Sequence, residues 1–392
     1  MPTEASLRVL RTLPELEEIR REWQSWPGHR DSDIDMFSEV VASNPETLRP
    51  HVIVAYRDGR PDAILIGRID LTTLPLRVGY WRLPAPRVRL LTFVIGAQRG
   101  NSSPEVSELL LREALESLRR GEADLCRLEV LRVDTALYRL ARSLPGILGC
   151  DHSVVPQPHW YMELSKTYAE VLKGLSHDLR KEIRRTAKRI QADFDNVDVK
   201  CFEKPDEVET LIRDVESIAA ISWHRRVGGG FRNTERMRQL LLFQAKKGWL
   251  LAYVLYVEAK PCTFWLGYLH EGVFTSEYLA FDPDFSKYSP GTVLQARVLE
   301  DLCARHAKSI DFGLGDQLYK TRLGTSRHED AELYMYPPTV RGLALSAVRT
   351  LTIFANEAPK ALLHHLRLLS RVKAAWANKK KESSRVPGVA KG

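Results

Sequence analysis

Two stretches of this chain run through the same series of elements, and that repetition constrains the fold more than any single motif. In the first half, HVIVAYR (51–57) and DAILIGRID (62–70) flank the turn DGRP. Two further apolar runs follow, LRVGYWRL and RVRLLTFVIG, before Ser103-Pro104 opens a helical run to Arg120 that leads into the strand DLCRLEVL. In the second half, WLLAYVLYVE, CTFWLGYLH and VFTSEYLAFD form a three-strand meander, joined by a short AKP turn and a two-residue Glu-Gly turn. Ser289-Pro290 then opens a helix, and the strand SIDFGLG (309–315) follows. The two helix starts, SPEVSELLLREALESLRR and SPGTVLQARVLEDLCARH, correspond in order of elements more than in identity.

The repeat predicts an α/β chain of two tandem domains, each a mixed, mostly antiparallel sheet flanked by helices. Residues 1–165 form the first, degenerate copy and 166–338 the second. An amphipathic helical extension is expected over 339–378 and a basic disordered tail over 379–392. Apolar residues make up 44% of the chain, enough to fill such cores.

Between the halves, Leu175, Leu179, Ile183, Ala187 and Ile190 fall at helical spacing, with Arg180, Lys181, Arg184, Arg185, Lys188 and Arg189 on the other face. That face is either solvated or a binding surface for a phosphorylated or glycan-linked substrate, or for tRNA. The net charge of +8 suggests an anionic partner, or else reflects tail composition. Five cysteines show neither CxxC pairs nor zinc spacing, and three sit in apolar patterns like reduced core thiols. There is no metal-ligand spacing and no recognisable Ser-His-Asp set. The charged N-terminus and the lack of an apolar span predict a cytoplasmic protein. The basic amphipathic C-terminal helices either pack on the second domain or touch anionic lipid at the inner face of the membrane.

The turn Tyr288-Ser289-Pro290-Gly291-Thr292 has the makings of an anion site. A helix N-terminus offers unpaired N–H groups and the positive end of the dipole, and Gly291 lets a phosphate approach the backbone. Ser289 and Thr292 add hydroxyl donors. A plain capped core helix is the alternative. The first copy has Glu105 where the second has Gly291, and a carboxylate there would repel a phosphate. Downstream, Asp311, Asp316, Tyr319 and Lys320 gather in DFGLGDQLYK, at the end of a predicted central strand, where ligands collect in open α/β sheets.

The order meander, Tyr288-Ser-Pro-Gly turn, helix, then Asp311-Phe-Gly with Asp316 and Tyr319-Lys320, resembles the GNAT-fold acyltransferases, and more narrowly the CelD/BcsL-type acetyltransferases. The basic run LRKEIRRTAKR (179–189) and Trp223 before a Gly-rich segment fit that pattern too. The resemblance covers 175–336 well and the first half loosely. The tandem arrangement is also similar to that of Fem-type aminoacyl-tRNA-dependent ligases, in which a Phe-Lys resembles Tyr319-Lys320. It implies two tandem GNAT-like domains and an acetyl-CoA or other acyl-CoA co-substrate, with no metal. The pantetheine would lie along VFTSEYLAFD, including Tyr278, and the pyrophosphate on Tyr288, Ser289, Gly291 and Thr292. The turn departs from the usual Gly-richer pyrophosphate loop opened by Gln or Arg.

Acyl transfer from a thioester needs a base for the nucleophile's proton and an acid for the departing thiolate. Glu277 is a candidate base, or a surface carboxylate on an alternating strand. Asp316 is a second, or a turn-forming Asp. Tyr319 is the candidate acid, or an anchoring aromatic. Lys320 would stabilise an oxyanion or a substrate phosphate, or be an ordinary solvated lysine. Arg180, Arg184, Trp223 and Asp311 are the candidate acceptor contacts. The expected function is acyl-CoA-dependent transfer, in a ternary complex, to the amine or hydroxyl of a small-molecule or glycan-type acceptor in polysaccharide or cell-envelope biosynthesis. The alternatives are a Fem-like aminoacyl-tRNA-dependent transferase and a non-catalytic GNAT-like binding module.

Overall fold

Twelve strands hydrogen-bond into one continuous sheet whose two ends repeat the same pattern. The computed structural model describes residues 6–365 apart from 75, 79, 80 and 227. The tail expected over 379–392 lies outside the described residues, and the extension expected over 339–378 is described only to 365.

In chain order the strands are β1 (Ser6–Leu10), β2 (Thr47–Arg57), β3 (Arg60–Thr73), β4 (Arg77–Val78), β5 (Trp81–Arg82), β6 (Arg87–Gly100), β7 (Leu125–Arg132) and β8 (Gln157–Glu163). They continue with β9 (Val197–Phe202), β10 (Leu250–Val257), β11 (Lys260–His270), β12 (Val273–Phe281), β13 (Ser309–Leu314) and β14 (Ser326–Met335). β4 and β5 form a small separate hairpin. At one end β1, β2, β3 and β6 pair antiparallel, and β6 reaches its parallel partner β7 through the helix Pro104–Arg119. At the other, β9, β10, β11 and β12 pair antiparallel, and β12 reaches parallel β13 through the helix Pro290–Ala304. A parallel pair needs such a crossover, so the helix in each copy follows from the strand order.

The tight turns repeat as well. Asp58-Gly59 joins β2 to β3 and Glu258-Ala259 joins β10 to β11, with positive φ at all four residues (53°, 74°, 49° and 64°). Two-residue turns with left-handed backbone match the twist of paired strands. Most of β10 is buried, because helices cover both faces of the sheet: Tyr253 and Leu255 join one apolar cluster, Ala252 and Val254 another.

The halves are joined by exchanged strands. β14, from the second half, pairs with β7 of the first half, while β8 pairs with β13 of the second. β14 and β8 then pair with each other and close the sheet through the middle.

Candidate active site

A segment of the first half is fastened against the middle of the second. Arg99 on β6 is buried, and its guanidinium donates to the carbonyls of Trp26 (3.0 Å) and His29 (2.9 Å) and to Ser32 Oγ (3.0 Å). Trp23 Nε1 donates to the Ser32 carbonyl at 2.8 Å. With the loop held at four points, Arg30 projects across the junction. Its Nη1 meets Glu277 Oε1 at 2.8 Å, Nη2 meets Asp31 at 2.7 Å, and the guanidinium lies 3.6 Å from the centre of the Tyr268 ring.

Glu277 owes its direction to a β-bulge. Leu266 pairs with Tyr278 but Gly267 pairs with Ser276, so Glu277 is an extra residue that re-aims the strand. Its second oxygen, Oε2, is buried and has no hydrogen-bond partner among the described residues. A second bulge sits on β13, where Asp311 pairs with Tyr161 and Gly313 with Trp160, leaving Phe312 as the extra residue.

Beside Glu277, three neighbouring strands each contribute one member of a buried cluster. His159 on β8 lies between Asp311 on β13 (Nε2 to Oδ1, 2.6 Å) and Asp330 on β14 (Nδ1 to Oδ2, 2.5 Å). A neutral imidazole donates from one nitrogen only, so two carboxylate partners call for the imidazolium. Burial alone would lower the His159 pKa, but the two carboxylates outweigh it and push it up to about 9. Burial likewise opposes ionisation of Asp311, yet the bond from His159 and the Gly313 N–H (2.7 Å) keep its pKa below the usual value. His159, His328 and Asp330 bring ligand-type atoms within 4.8 Å of one another. Because both His159 nitrogens donate to carboxylates, the group is a hydrogen-bonded cluster with no free imidazole lone pair on His159 to offer a metal.

These residues line a cavity of about 760 Å³ at the junction. Arg30, Glu277, Tyr268, His159, Asp311 and Asp330 make its polar side, and Ile95, Ala97, Leu131, Leu137 and Leu314 its apolar side. One polar and one apolar wall suit a small molecule held by shape and oriented by a few charged contacts.

A second cleft, of about 330 Å³, opens where β12 ends. It is lined by Leu279, Phe281, Ser289, Gly291, Thr292 and Tyr319 among others. Ser289 adopts left-handed backbone (φ 50°), and its side chain does not cap the helix Pro290–Ala304. In the first copy Ser103 does cap the equivalent helix, accepting from the Val106 N–H. A Cβ added to Gly291 would meet nothing within 4 Å. Nearby, Arg322 pairs with Glu182 at 2.5 Å, and Glu182 also accepts a hydrogen bond from Thr292. Tyr319 packs edge-on against Phe312 (6.0 Å), and burial pushes its phenol up to about 12 despite a hydrogen bond with Ser276. Strand β12 thus borders both spaces, with Thr275 and Glu277 in the cavity and Leu279 to Phe281 in the cleft.

The structure brings Glu277 and Asp311 together in the cavity, and Ser289, Gly291, Thr292 and Tyr319 in the cleft. Other sequence expectations are corrected. Tyr288 is buried in the core, its hydroxyl donating to Asp193 at 2.7 Å, so it does not face a ligand. Tyr278 packs on Phe231 (5.8 Å) on the face of the sheet that carries Phe264 and Leu266. Asp316 is exposed, accepts from Trp160 Nε1 at 2.9 Å and lines neither space. Lys320 is no solvated lysine: it is buried, its Nζ donates to the Leu314 carbonyl at 2.6 Å, and burial lowers its pKa to about 8. Arg180 donates to the Lys173 carbonyl (2.9 Å), Arg184 is exposed on the same helix, and Trp223 is 69% exposed. None of these three reaches the cavity.

Sequence reasoning missed Arg30, His29, Tyr268, His159 and Asp330. The cluster His29-Arg30-Asp31 in PGHRDSD was the available signal for the first two, but nothing local ties it to a strand 240 or more residues away.

A family model described as Acetyltransferase (GNAT) domain matches residues 177–321. Among solved structures, FemX is 13% identical, over 84% of this chain and 96% of its own, with a TM-score of 0.58. L-PGS from Bacillus licheniformis is 12% identical (88% and 99% covered, TM-score 0.51). A tandem GNAT protein from the clavulanic acid biosynthesis pathway is 10% identical (86% and 100%, TM-score 0.50). No curated protein matches by sequence. At these identities the likeness establishes the fold, two tandem GNAT-like units.

Proposed function

We propose that the chain is an acyl-CoA-dependent acyltransferase that binds its donor in the cleft at Gly291 and its acceptor in the junction cavity. The observation that carries this reading is that one strand, β12, lines both spaces, with the bulged Glu277 on its cavity side. The cleft fits the phosphate-bearing part of such a donor. Its helix end is uncapped, Gly291 leaves room, and Arg322 offsets the nearby Glu182.

When bound, acyl-CoA supplies a thioester carbonyl. Glu277, held by Arg30, offers the unpartnered Oε2 to the proton of the acceptor amine or hydroxyl as the new C–N or C–O bond forms. Tyr319, protonated at neutral pH, gives its proton to sulfur as the C–S bond breaks. Ordered carboxylates and a buried Arg pair set this geometry before substrate arrives. We assign the acceptor to the small-molecule or glycan type of cell-envelope or polysaccharide chemistry, on the sequence resemblance to CelD/BcsL-type enzymes.

The exposed face of Lys181, Arg185 and Lys188 favours a second reading, a Fem-like transferase using charged tRNA. The buried position of Lys320 weighs against it, since that lysine has no surface on which to meet an RNA end. Thermal unfolding with added acetyl-CoA, beside tRNA titration at two salt concentrations, separates the two. A rise in melting temperature with acetyl-CoA supports the first reading. Tight, steeply salt-dependent tRNA binding without that rise replaces it with the second.

A further inference from the structure

The outward face of the C-terminal helix, Val340–His365, is apolar and uncovered among the described residues. Val340 is 89% exposed, Val348 42%, Leu351 66% and Phe354 70%, with exposed Ala344 and Ala347 between them. Steps of three and four residues put these side chains on one side of a helix. The opposite side docks the helix through buried Leu345, Ser346 and Thr352, and through Arg349, which pairs with Asp151 at 2.8 Å. The short helix Gly146–Gly149 packs beside it and adds Ile147 (81% exposed) and Leu148 (64%). The two arginines near the face are engaged elsewhere, Arg349 as above and Arg341 with Asp124 at 3.2 Å. A contiguous apolar patch of this kind marks a contact surface.

Charge selects the partner. Nine of the chain's 58 lysines and arginines lie in residues 360–392, against one of its 50 acidic residues, Glu382. That stretch therefore carries the whole net charge of +8, and residues 1–359 are neutral. An apolar face on a neutral body, continued by a strongly basic sequence, complements a surface that is apolar within and negative outside. A second copy of the chain would match the face but repel the charge. A nucleic acid would match the charge but not the face.

We infer that this face, with Ile147 and Leu148, seats the protein on an anionic phospholipid bilayer, the helix lying in the headgroup region and the basic sequence drawn to the lipid phosphates. No helix among the described residues is long and apolar enough to cross a membrane, so the contact is made on its surface. Such seating would deliver the protein to substrates presented at that surface, whatever group it transfers.

Flotation of the full chain with vesicles tests this, using phosphatidylcholine alone and phosphatidylcholine mixed with phosphatidylglycerol. Binding is expected to the mixed vesicles only, and to weaken as salt is raised. The double variant Leu351→Asp, Phe354→Asp and the triple variant Lys379→Gln, Lys380→Gln, Lys381→Gln should each bind roughly tenfold more weakly or worse. Both sets of residues are needed, so the triple variant keeps the test decisive if the double variant folds poorly. Failure of the wild type to float with mixed vesicles at low salt overturns the inference, as does either well-folded variant floating like the wild type. A lipid-free dimer in sedimentation equilibrium that the double variant dissolves would assign the face to a second copy instead.

Discussion

Arg30 of the first half and Glu277 of the second are joined by a 2.8 Å ion pair across the junction, 247 residues apart in sequence. The contact makes the first half part of the site. Both side chains belong to the cavity wall, and Arg30 is only 6% exposed.

Replacing Arg30 by Met should therefore be costly. It leaves the half-buried Glu277 and Asp31 without their cation, a change worth up to about 3–5 kcal/mol where such a pair is fully buried. The expected outcome is a clearly lower melting temperature, seen by calorimetry. A variant as stable as the wild type would mean that the pair is not desolvated in solution.

Glu277→Gln keeps the shape of the side chain and removes the proposed base. It should lower kcat by about 10²- to 10⁴-fold while the melting-temperature shift with acetyl-CoA persists. Tyr319→Phe should act on the other proton, lowering kcat with little change in donor affinity. Unchanged turnover in either variant would remove that residue from the chemistry.

His159 has a folded pKa raised to about 9 from 6.5. A raised pKa means that the folded chain holds the proton more tightly. The stability this contributes is fully present below about pH 6.5 and is lost as pH rises through about 9. Urea unfolding of the wild type should show that decline over the window, and His159→Gln should show less of it. Parallel profiles for the two proteins would contradict a charged His159.

Much of the fold was legible because its signals are local. Apolar runs, Asp58-Gly59, the turn before Lys260 and the Ser-Pro helix starts each announce themselves within a few residues. The exchange of β8 and β14 was not legible, since pairing between distant strands leaves no local mark. For the same reason His159 was missed: its meaning lies in Asp311 and Asp330, one on each neighbouring strand. Tyr288 misled because the turn that carries it is open while its own ring points into the core. Asp316 and Lys320 misled because a polar loop letter does not say whether its side chain is already spoken for.

Gly291 faces open space at an uncapped helix end, while its counterpart Glu105 stands at a capped one. Calorimetric titration of acetyl-CoA into the wild type, Gly291→Glu and Glu277→Gln tests the two-space account directly. The wild type and Glu277→Gln should bind alike, and Gly291→Glu should show no heat of binding. Absence of binding to the wild type by acetyl-CoA and by longer acyl-CoAs, or undiminished binding by Gly291→Glu, would contradict it.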